Sequence, residues 1–457
     1  MPAASSPFAI NNIRLFIAFR IFFNARFYYP VFTILFLDYG LSIEQFALLN
    51  SVWAITIVCA EVPSGALADI LGRKHLLVAT SLLMMAEIAL LAFVPLGNVE
   101  IIFWAFLLNR ILSGLAEAMA SGADEAIAYD ALVDEGRAED WPKVLSLQMR
   151  LQSIAFVINM TVGALIYDPG FVNKLLSWCG FAETVDQQIT MRFPIYLTLV
   201  LAVLASISAL RMQEKKKDDH NDKGFNALAA LRITLDAGKW IARTPFALAI
   251  ILFAMCYDHI LRMIVTMTSQ YFRLIQLPEA SFGLIGSAFA LIGLFAPKIA
   301  EQMALKNSPT INMYWLSGII ILTLFGLTGF FPIWGLLPMG GIFITMTLVS
   351  FFTSHYLNRI TASYQRATVL SFKGMAFNLA YGLIGFYFAL LLTYQRGMVT
   401  TEHPDLSQPA IEGLTFQAAI GWFPWYAIAC LVVAIIYCGY RLRGSDQHKR
   451  KDHLTEK

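Results

Sequence analysis

Gly65-Ala66-Leu67-Ala68-Asp69-Ile70-Leu71-Gly72-Arg73-Lys74 is a short stretch of small and charged residues between two long apolar runs. The run before it covers about 42–62 and the run after it about 76–94. Because about 20 apolar residues cross a bilayer as one helix, we expect this stretch to be a loop that returns the chain to the membrane. Gly72 permits a tight turn, and Arg73 and Lys74 mark the cytoplasmic side.

The composition indicates an all-α polytopic membrane protein. Of 457 residues, 58% are hydrophobic and only 14% are charged, whereas an average soluble protein has about 25% charged residues. The apolar residues form long blocks, and a transmembrane β-barrel would show short alternating segments instead. No metal site, bound cofactor or nucleic-acid partner is expected. No disulfide framework is expected either, since no paired spacing links Cys59, Cys179, Cys256, Cys430 and Cys438.

The apolar blocks predict twelve transmembrane helices with both termini in the cytoplasm. The spans are 14–38, 42–69, 75–96, 100–122, 145–167, 192–212, 245–272, 280–303, 311–332, 334–355, 367–394 and 417–440. Most of the 33 lysines and arginines then lie on one side, which the positive-inside rule assigns to the cytoplasm. The start of the chain has no cleavable signal features, and a cell (inner) membrane location is expected.

Four segments follow from this pattern. Residues 1–212 form an N-terminal six-helix bundle, 213–244 a cytoplasmic linker, 245–443 a C-terminal six-helix bundle and 444–457 a basic tail. Within the linker, 225–241 has apolar residues at helical spacing, which predicts an amphipathic helix along the membrane surface. A six-plus-six division is typical of duplicated transporters.

Several motifs resemble those of the major facilitator superfamily. Gly65-x-x-x-Asp69-x-x-Gly72-Arg73-Lys74 is similar to its signature loop, and Arg110-x-x-x-Gly114 to its second motif. The stretches 121–126 and 366–371 look like a bacterial branch of it. Span 5 departs from the pattern, because it lacks the Gly-Pro-rich motif that proton-driven drug exporters often carry.

The resemblance implies two six-helix bundles that work by alternating access, with spans 1, 4, 7 and 10 lining the cavity. It also implies a cytoplasmic gate. Asp69 would meet the N-terminus of span 11 near Arg366, and Arg73 would meet a carboxylate at the end of span 4. The candidate gate residues are Gly65, Asp69, Gly72, Arg73, Lys74, Asp124, Glu125, Asp130 and Arg366.

Charged residues inside the spans are candidate site residues, because each costs a few kcal/mol unless it has a partner, water or a ligand. At about 1.5 Å per residue, Arg26 lies roughly 18 Å into span 1 and Arg110 about 15 Å into span 4 from its outer end. Asp258 in span 7 has a similar depth to Arg26. These three residues are therefore the leading candidates.

Each candidate has a structural alternative. Asp258 and Arg262, four residues apart, can simply neutralise each other on one helix face. Arg20 can extend to the cytoplasmic surface. Glu117 lies near a cytoplasmic end, where gate or packing roles are common, and Glu87 lies in span 3, which usually does not line the cavity. His259 adjoins Asp258 but points to another face, so a packed neutral histidine fits as well.

Uncharged polar groups can orient a substrate in an otherwise apolar pocket. The candidates are Asn24 and Tyr28 in span 1, Asn159 in span 5 and Asn378 in span 11. Together with Arg26, Arg110 and Arg262 they form the predicted substrate-binding set.

The favoured hypothesis is secondary active transport of a small organic solute, with an anion favoured. Arg26 and Arg110 would hold the anion, while Asp258, Glu117 and Glu87 are candidates for proton coupling. The alternative is proton-driven efflux of amphipathic or cationic drugs. A membrane enzyme is disfavoured, because no catalytic His–Asp or metal spacing is present. A monomer in the lipid bilayer is expected.

Overall fold

A computed structural model of the chain describes residues 6–120, 123–214, 227–292, 295–361 and 363–455. Those residues contain α-helices and short 3-10 turns and no β-strand. The helices are α1 Asn11–Asn24, α2 Phe32–Asp38, α3 Ile43–Leu71, α4 Arg73–Phe93, α5 Val99–Ala120, α6 Ala123–Asp134, α7 Trp141–Tyr167, α8 Pro169–Trp178, α9 Gln187–Thr190, α10 Phe193–Arg211, α11 Ala227–Arg243, α12 Pro245–Thr266, α13 Thr268–Leu274, α14 Phe282–Ile292, α15 Ala296–Lys306, α16 Pro309–Leu327, α17 Leu336–Ile360, α18 Ser363–Glu402, α19 Gln408–Ile420 and α20 Phe423–Thr455.

Eleven helical segments of the described chain are long and apolar enough to cross a membrane. The predicted span 1 is not among them, because it is divided into α1 and α2. Counting this broken span gives the twelve predicted crossings. The all-α polytopic fold class is therefore confirmed.

The expected single helix over 14–38 is wrong. The α-helix ends at Asn24 and resumes at Phe32, with a 3-10 turn over Tyr29–Val31 between them. Pro30 lies in this turn and has no N–H to donate, so it cannot continue an α-helical ladder. Pro30 was the available sequence signal for the break.

The expected ten-residue loop over 65–74 is also wrong. Helix α3 continues through this stretch to Leu71, and α4 begins at Arg73. Alanine and leucine are strong helix formers, so only Gly72 interrupts the helix. Its φ of 84° lies in a region that favours glycine, which confirms the predicted turn at this residue.

Two further boundaries differ from prediction at the C-terminal end. Helix α18 runs from Ser363 to Glu402, beyond the expected 367–394. Helix α20 extends to Thr455, into the predicted tail. The amphipathic helix predicted over 225–241 is found as α11. All five cysteines are free thiols in the structure.

The described chain divides into two compact units. Unit 1 comprises Met1–Ala227 and Pro278–Ser287, and unit 2 comprises Leu228–Leu277 and Ala288–Lys457. In unit 1, α4 packs against α3, α5 and α10, and α1 packs against α10. In unit 2, α12 is the central helix and packs against α17, α18 and α20.

Aromatic side chains pack around α2 in unit 1. Phe36 makes edge-on ring contacts with Phe46 and Phe106, at centroid distances of 5.0 and 4.7 Å. All three side chains are fully buried. Since large aromatic side chains dominate the energetics of a packed core, this cluster fixes α2 against α3 and α5, directly after the break in span 1.

Candidate functional site

The break in span 1 has its polar groups satisfied by nearby side chains. At the end of α1, the Asn24 side-chain amide donates to the Arg20 carbonyl at 2.7 Å, and the Arg26 guanidinium donates to the Phe23 carbonyl at 2.5 Å. The Phe27 N–H donates to the Thr198 hydroxyl at 3.1 Å. The last four carbonyls of a helix lack intrahelical partners. Phe23 carries one of them, so Arg26 caps α1.

Arg26 is also part of a buried polar network. Its guanidinium pairs with the Glu87 carboxylate at 3.3 Å, and the Asn109 side-chain amide donates to the same carboxylate at 2.9 Å. The Arg110 guanidinium donates through Nε to Asn109 Oδ1 at 2.8 Å. We name Arg26, Glu87, Asn109 and Arg110 the unit 1 network; each of them is at most 7% exposed.

The network connects the two leading arginines, Arg26 and Arg110. The residues that connect them, Glu87 and Asn109, are a minor candidate and a residue outside the predicted set. Glu87 was placed below the others because of its helix, yet it is the ion-pair partner of Arg26. Asn109 was not selected, although it directly precedes Arg110 in the sequence. Arg110 lies over the rings of Phe32 and Phe36 at 5.4 and 5.5 Å, which stabilises its charge away from water.

A narrow open cleft with a cavity volume of about 30 Å³ lies beside this network. Three of the predicted substrate-binding residues line it, namely Asn24, Arg26 and Asn159. The other lining residues are Ile21, Ala25, Tyr29, Gln152, Ala155, Phe156 and Met160. The cleft combines apolar walls with a few polar groups, as small-molecule sites do.

Other predicted residues of unit 1 do not line the cleft. Tyr28 is 2% exposed and packs against Tyr29 and Phe32. Arg110 lies in the buried network instead. Glu117 is exposed and makes no ion pair within 4 Å among the described residues, although it is close enough to Arg26 to interact electrostatically.

Unit 2 contains a second polar cluster on α12 and α18. The Arg262 guanidinium pairs with the Asp258 carboxylate at 2.6 Å and donates to Asn378 Oδ1 at 2.8 Å. It also lies over the Tyr381 ring at 5.3 Å. We name Asp258, Arg262, Asn378 and Tyr381 the unit 2 cluster. The predicted pairing of Asp258 with Arg262 is confirmed, and both side chains keep partial exposure, 13% and 25%.

His259 does not belong to this cluster. Its Nδ1 is within 2.5 Å of the Met255 carbonyl and its Nε2 within 3.0 Å of the Tyr426 hydroxyl. Successive residues of a helix point about 100° apart at 3.6 residues per turn. His259 therefore faces α20 while Asp258 faces α18. This placement agrees with the alternative of a packed histidine on another face of the helix.

The gate residues of unit 1 form two groups. Arg73 pairs with Asp130 at 2.7 Å, which confirms one of the three expected carboxylate partners. Asp124 and Glu125 instead pair with Arg20, at 3.1 and 2.5 Å. Arg20 is thus held by two carboxylates and does not simply extend to the surface.

The remaining gate predictions lie partly outside the described residues. Gly65 and the side chains of Asp69 and Arg366 are in parts of α3 and α18 that are described only as helical backbone. The expected contact of Asp69 with the start of span 11 stays a prediction. Lys74 takes part through its backbone, because its N–H donates to Glu214 Oε2 at 2.9 Å.

Glu214 is a further partner of the start of α4 that the sequence did not reveal. Its carboxylate accepts hydrogen bonds from the Arg73 and Lys74 N–H groups, at 3.1 and 2.9 Å. These N–H groups are at the start of α4, where a helix has free donors and a positive dipole end. Glu214 lies 141 residues from Arg73 in the chain, so no local pattern connects them.

We expect Glu214→Gln to lower the free energy of unfolding by about 0.3–1 kcal/mol at low salt, since it removes a negative charge from the start of α4. Salt should reduce the effect, because Glu214 is exposed and its interaction is screened. Thermal unfolding at two salt concentrations measures this difference. Glu183→Gln, in an exposed loop, is the matched control. An equal loss in both variants would contradict a capping role.

Comparison with known proteins places the chain in a transporter class. The sequence profile of the Major Facilitator Superfamily matches residues 14–385. The fold is similar to the crystal structure of the nucleoside transporter NupG, with 15% identity and a TM-score of 0.67, covering 96% of this chain and 99% of that one. No curated protein matches the chain.

Two further solved structures have the same fold. A bacterial homologue of the human lysosomal transporter Spinster has 11% identity and a TM-score of 0.68, covering 96% of this chain and 98% of that one. A D-xylose–proton symporter has 12% identity and a TM-score of 0.62, with coverage of 91% and 97%. These likenesses show the fold alone, whereas the profile match over residues 14–385 shows the family. The chain belongs to the Major Facilitator Superfamily.

Proposed function

We propose that the protein is a proton-coupled secondary transporter of a small organic anion. The observation that supports this most is the unit 2 cluster. Asp258 neutralises Arg262 directly, at 2.6 Å, within an apolar helix. A proton on Asp258 would cancel its charge and leave the Arg262 guanidinium without a counter-ion, so a substrate anion would take that place.

This arrangement couples one proton to one anion. An arginine inside the membrane needs a negative partner, and either ionised Asp258 or the substrate supplies it. Asn378 keeps the guanidinium oriented in both states, since it accepts from a different nitrogen. The ion gradient supplies the energy for transport, so the proposal includes no bound cofactor. We further propose a monomer in the cell (inner) membrane, with both termini in the cytoplasm, where the basic segments lie.

Arg26 and the unit 1 cleft have a supporting part in this proposal. Arg26 lines the cleft and is paired with Glu87 at 3.3 Å, which is longer than the usual 2.7–2.9 Å of a charge-assisted hydrogen bond. The guanidinium thus has capacity for a second anionic partner. Asn24, Asn159 and Gln152 would then contact the uncharged part of the solute.

We expect Asp258→Asn to abolish proton entry driven by the substrate anion, because an amide cannot exchange a proton at neutral pH. The measurement uses purified protein in liposomes with a trapped pH-sensitive dye, to which organic anions are added outside. Wild-type vesicles should acidify with a transported anion, and Asp258→Asn vesicles should not.

Asp236→Asn is the matched control, because Asp236 pairs with Lys239 on the exposed face of α11, a helix that is not one of the membrane-spanning segments. It should behave as the wild type. Equal acidification by Asp258→Asn would refute the role of Asp258. Proton movement driven only by amphipathic cations such as ethidium would favour the alternative, drug efflux.

A further inference from the structure

Lys373 adds a second positive charge beside the unit 2 cluster. It lies on α18, at the start of the apolar part of that helix, and its side chain is half-buried. Among the described residues it makes no ion pair within 4 Å; its ammonium lies over the Phe377 ring, 5.5 Å from the centroid. A cation in this position needs a negative partner or water.

Lys373 is close enough to Asp258 and Arg262 to interact electrostatically with both. Asp258 is already paired with Arg262 at 2.6 Å, so it cannot neutralise Lys373 as well. Two cations and one carboxylate give the site a net charge of about +1. When Asp258 carries a proton, the net charge becomes about +2, with no protein carboxylate left to balance it.

The polar groups around these cations are arranged for an elongated anion. Asn378 and Tyr381 flank Arg262, and Tyr381 also hydrogen-bonds the Thr266 hydroxyl at 3.0 Å. Lys373 lies five residues before Asn378 on the same helix, about 7.5 Å away along the axis and about 140° around it. Its long side chain, and not its position on the helix alone, brings the ammonium within electrostatic reach of Arg262. One anionic group at Arg262 and a second towards Lys373 would satisfy both cations.

We propose that the transported solute is doubly charged, a dicarboxylate or a phosphate monoester, and that Lys373 selects for its second negative charge. This inference rests on the proposed anion transport and specifies the substrate class. A monocarboxylate would leave the Lys373 ammonium without a counter-ion in the protonated state of the site. Lys373 is then a specificity residue and Arg262 the primary anion ligand.

The test compares probes of matched size that differ in charge. Purified full-length protein is titrated with dicarboxylates of three to six carbons, with monocarboxylates of the same lengths, and with glycerol 3-phosphate against glycerol. Thermal stabilisation at constant ionic strength gives the affinity of each. The wild type should bind at least one dianion about tenfold more tightly than its matched monoanion, because the second negative charge gains a hydrogen-bonded cationic partner in Lys373.

Lys373→Met should remove that preference while monoanion affinity stays within about twofold, because methionine keeps an unbranched side chain without the charge. Lys373→Gln is the second variant should the first fail to fold, and Lys373→Arg should retain the preference. A merely structural lysine would not change the ratio of dianion to monoanion affinity.

Three outcomes would overturn the inference. The first is an unchanged preference in both Lys373→Met and Lys373→Gln, and the second is a wild type that binds monoanions as tightly as dianions. The second outcome leaves anion transport intact. If no anion of either charge binds while amphipathic cations do, the proposed function itself fails together with the inference.

Discussion

Replacing Glu87 with leucine is expected to lower the free energy of unfolding by about 3–5 kcal/mol, because it leaves the Arg26 charge buried without its counter-ion. Glu87 is fully buried and Arg26 is 7% exposed, so water can reach the Arg26 guanidinium only from the cleft and only partly replaces the carboxylate. Asn109 would also lose one acceptor, although it keeps its bond to the Glu87 carbonyl at 2.8 Å. Thermal unfolding of the purified protein in one detergent measures the loss.

The double variant Arg26→Met with Glu87→Leu is the decisive control. Exchange of both partners of a buried pair for apolar residues is often neutral or stabilising by about 1–4 kcal/mol. The double variant should therefore recover much of the stability lost by Glu87→Leu. Recovery will be incomplete, since Arg26 also caps α1 at the Phe23 carbonyl. A double variant less stable than both single variants would contradict this account of the network.

Gly163→Ala is expected to destabilise the protein by about 1–3 kcal/mol or to prevent its folding, because the added Cβ overfills a packed contact. Gly163 lies in α7, and a Cβ there would collide with the backbone carbonyl of Phe27. Phe27 lies in the break of span 1, where its N–H is already bonded to Thr198. Because the atoms that the new Cβ would meet belong to the Phe27 backbone, no flexible side chain can move aside to relieve the clash.

Gly318→Ala is the matched control for this substitution. Gly318 also lies inside a membrane-spanning helix, α16, but no heavy atom would lie within 4 Å of a Cβ there. Alanine is the better helix former by about 1 kcal/mol, so this variant should be neutral or slightly stabilised. Unfolding temperatures and expression levels of the two variants show whether the effect of alanine comes from a steric clash or from its helix propensity. Equal behaviour would refute the close contact at Gly163.

Sequence reasoning reached the fold class because the bilayer imposes a length and a polarity on each crossing. The long apolar runs fixed the number of spans, and the motif of α3 and α4 pointed to the family that the profile match confirms. Local conformation inside the runs was less accessible. The break at Pro30 and the continuous helix through Leu71 both depend on which backbone groups form hydrogen bonds. Hydropathy gives no information about those hydrogen bonds.

The candidate sites were predictable where the partners are close in sequence. Asp258 and Arg262 are four residues apart, and the helical repeat alone predicts their pairing. Arg26 and Glu87 are separated by 61 positions, and Glu214 and Arg73 by 141. Only the packing of α10 against α4, and of α1 against α10, brings such residues together, so no spacing rule could identify them.

The cap at the end of α1 has a mechanical consequence. One guanidinium, that of Arg26, holds both the Phe23 carbonyl and the Glu87 carboxylate. Any event that removes the charge of Glu87, or supplies Arg26 with a competing anion, therefore also loosens the end of a helix. A change in the charge of Glu87 on α4 would therefore act through Arg26 on the backbone that follows α1, at Ala25–Tyr28.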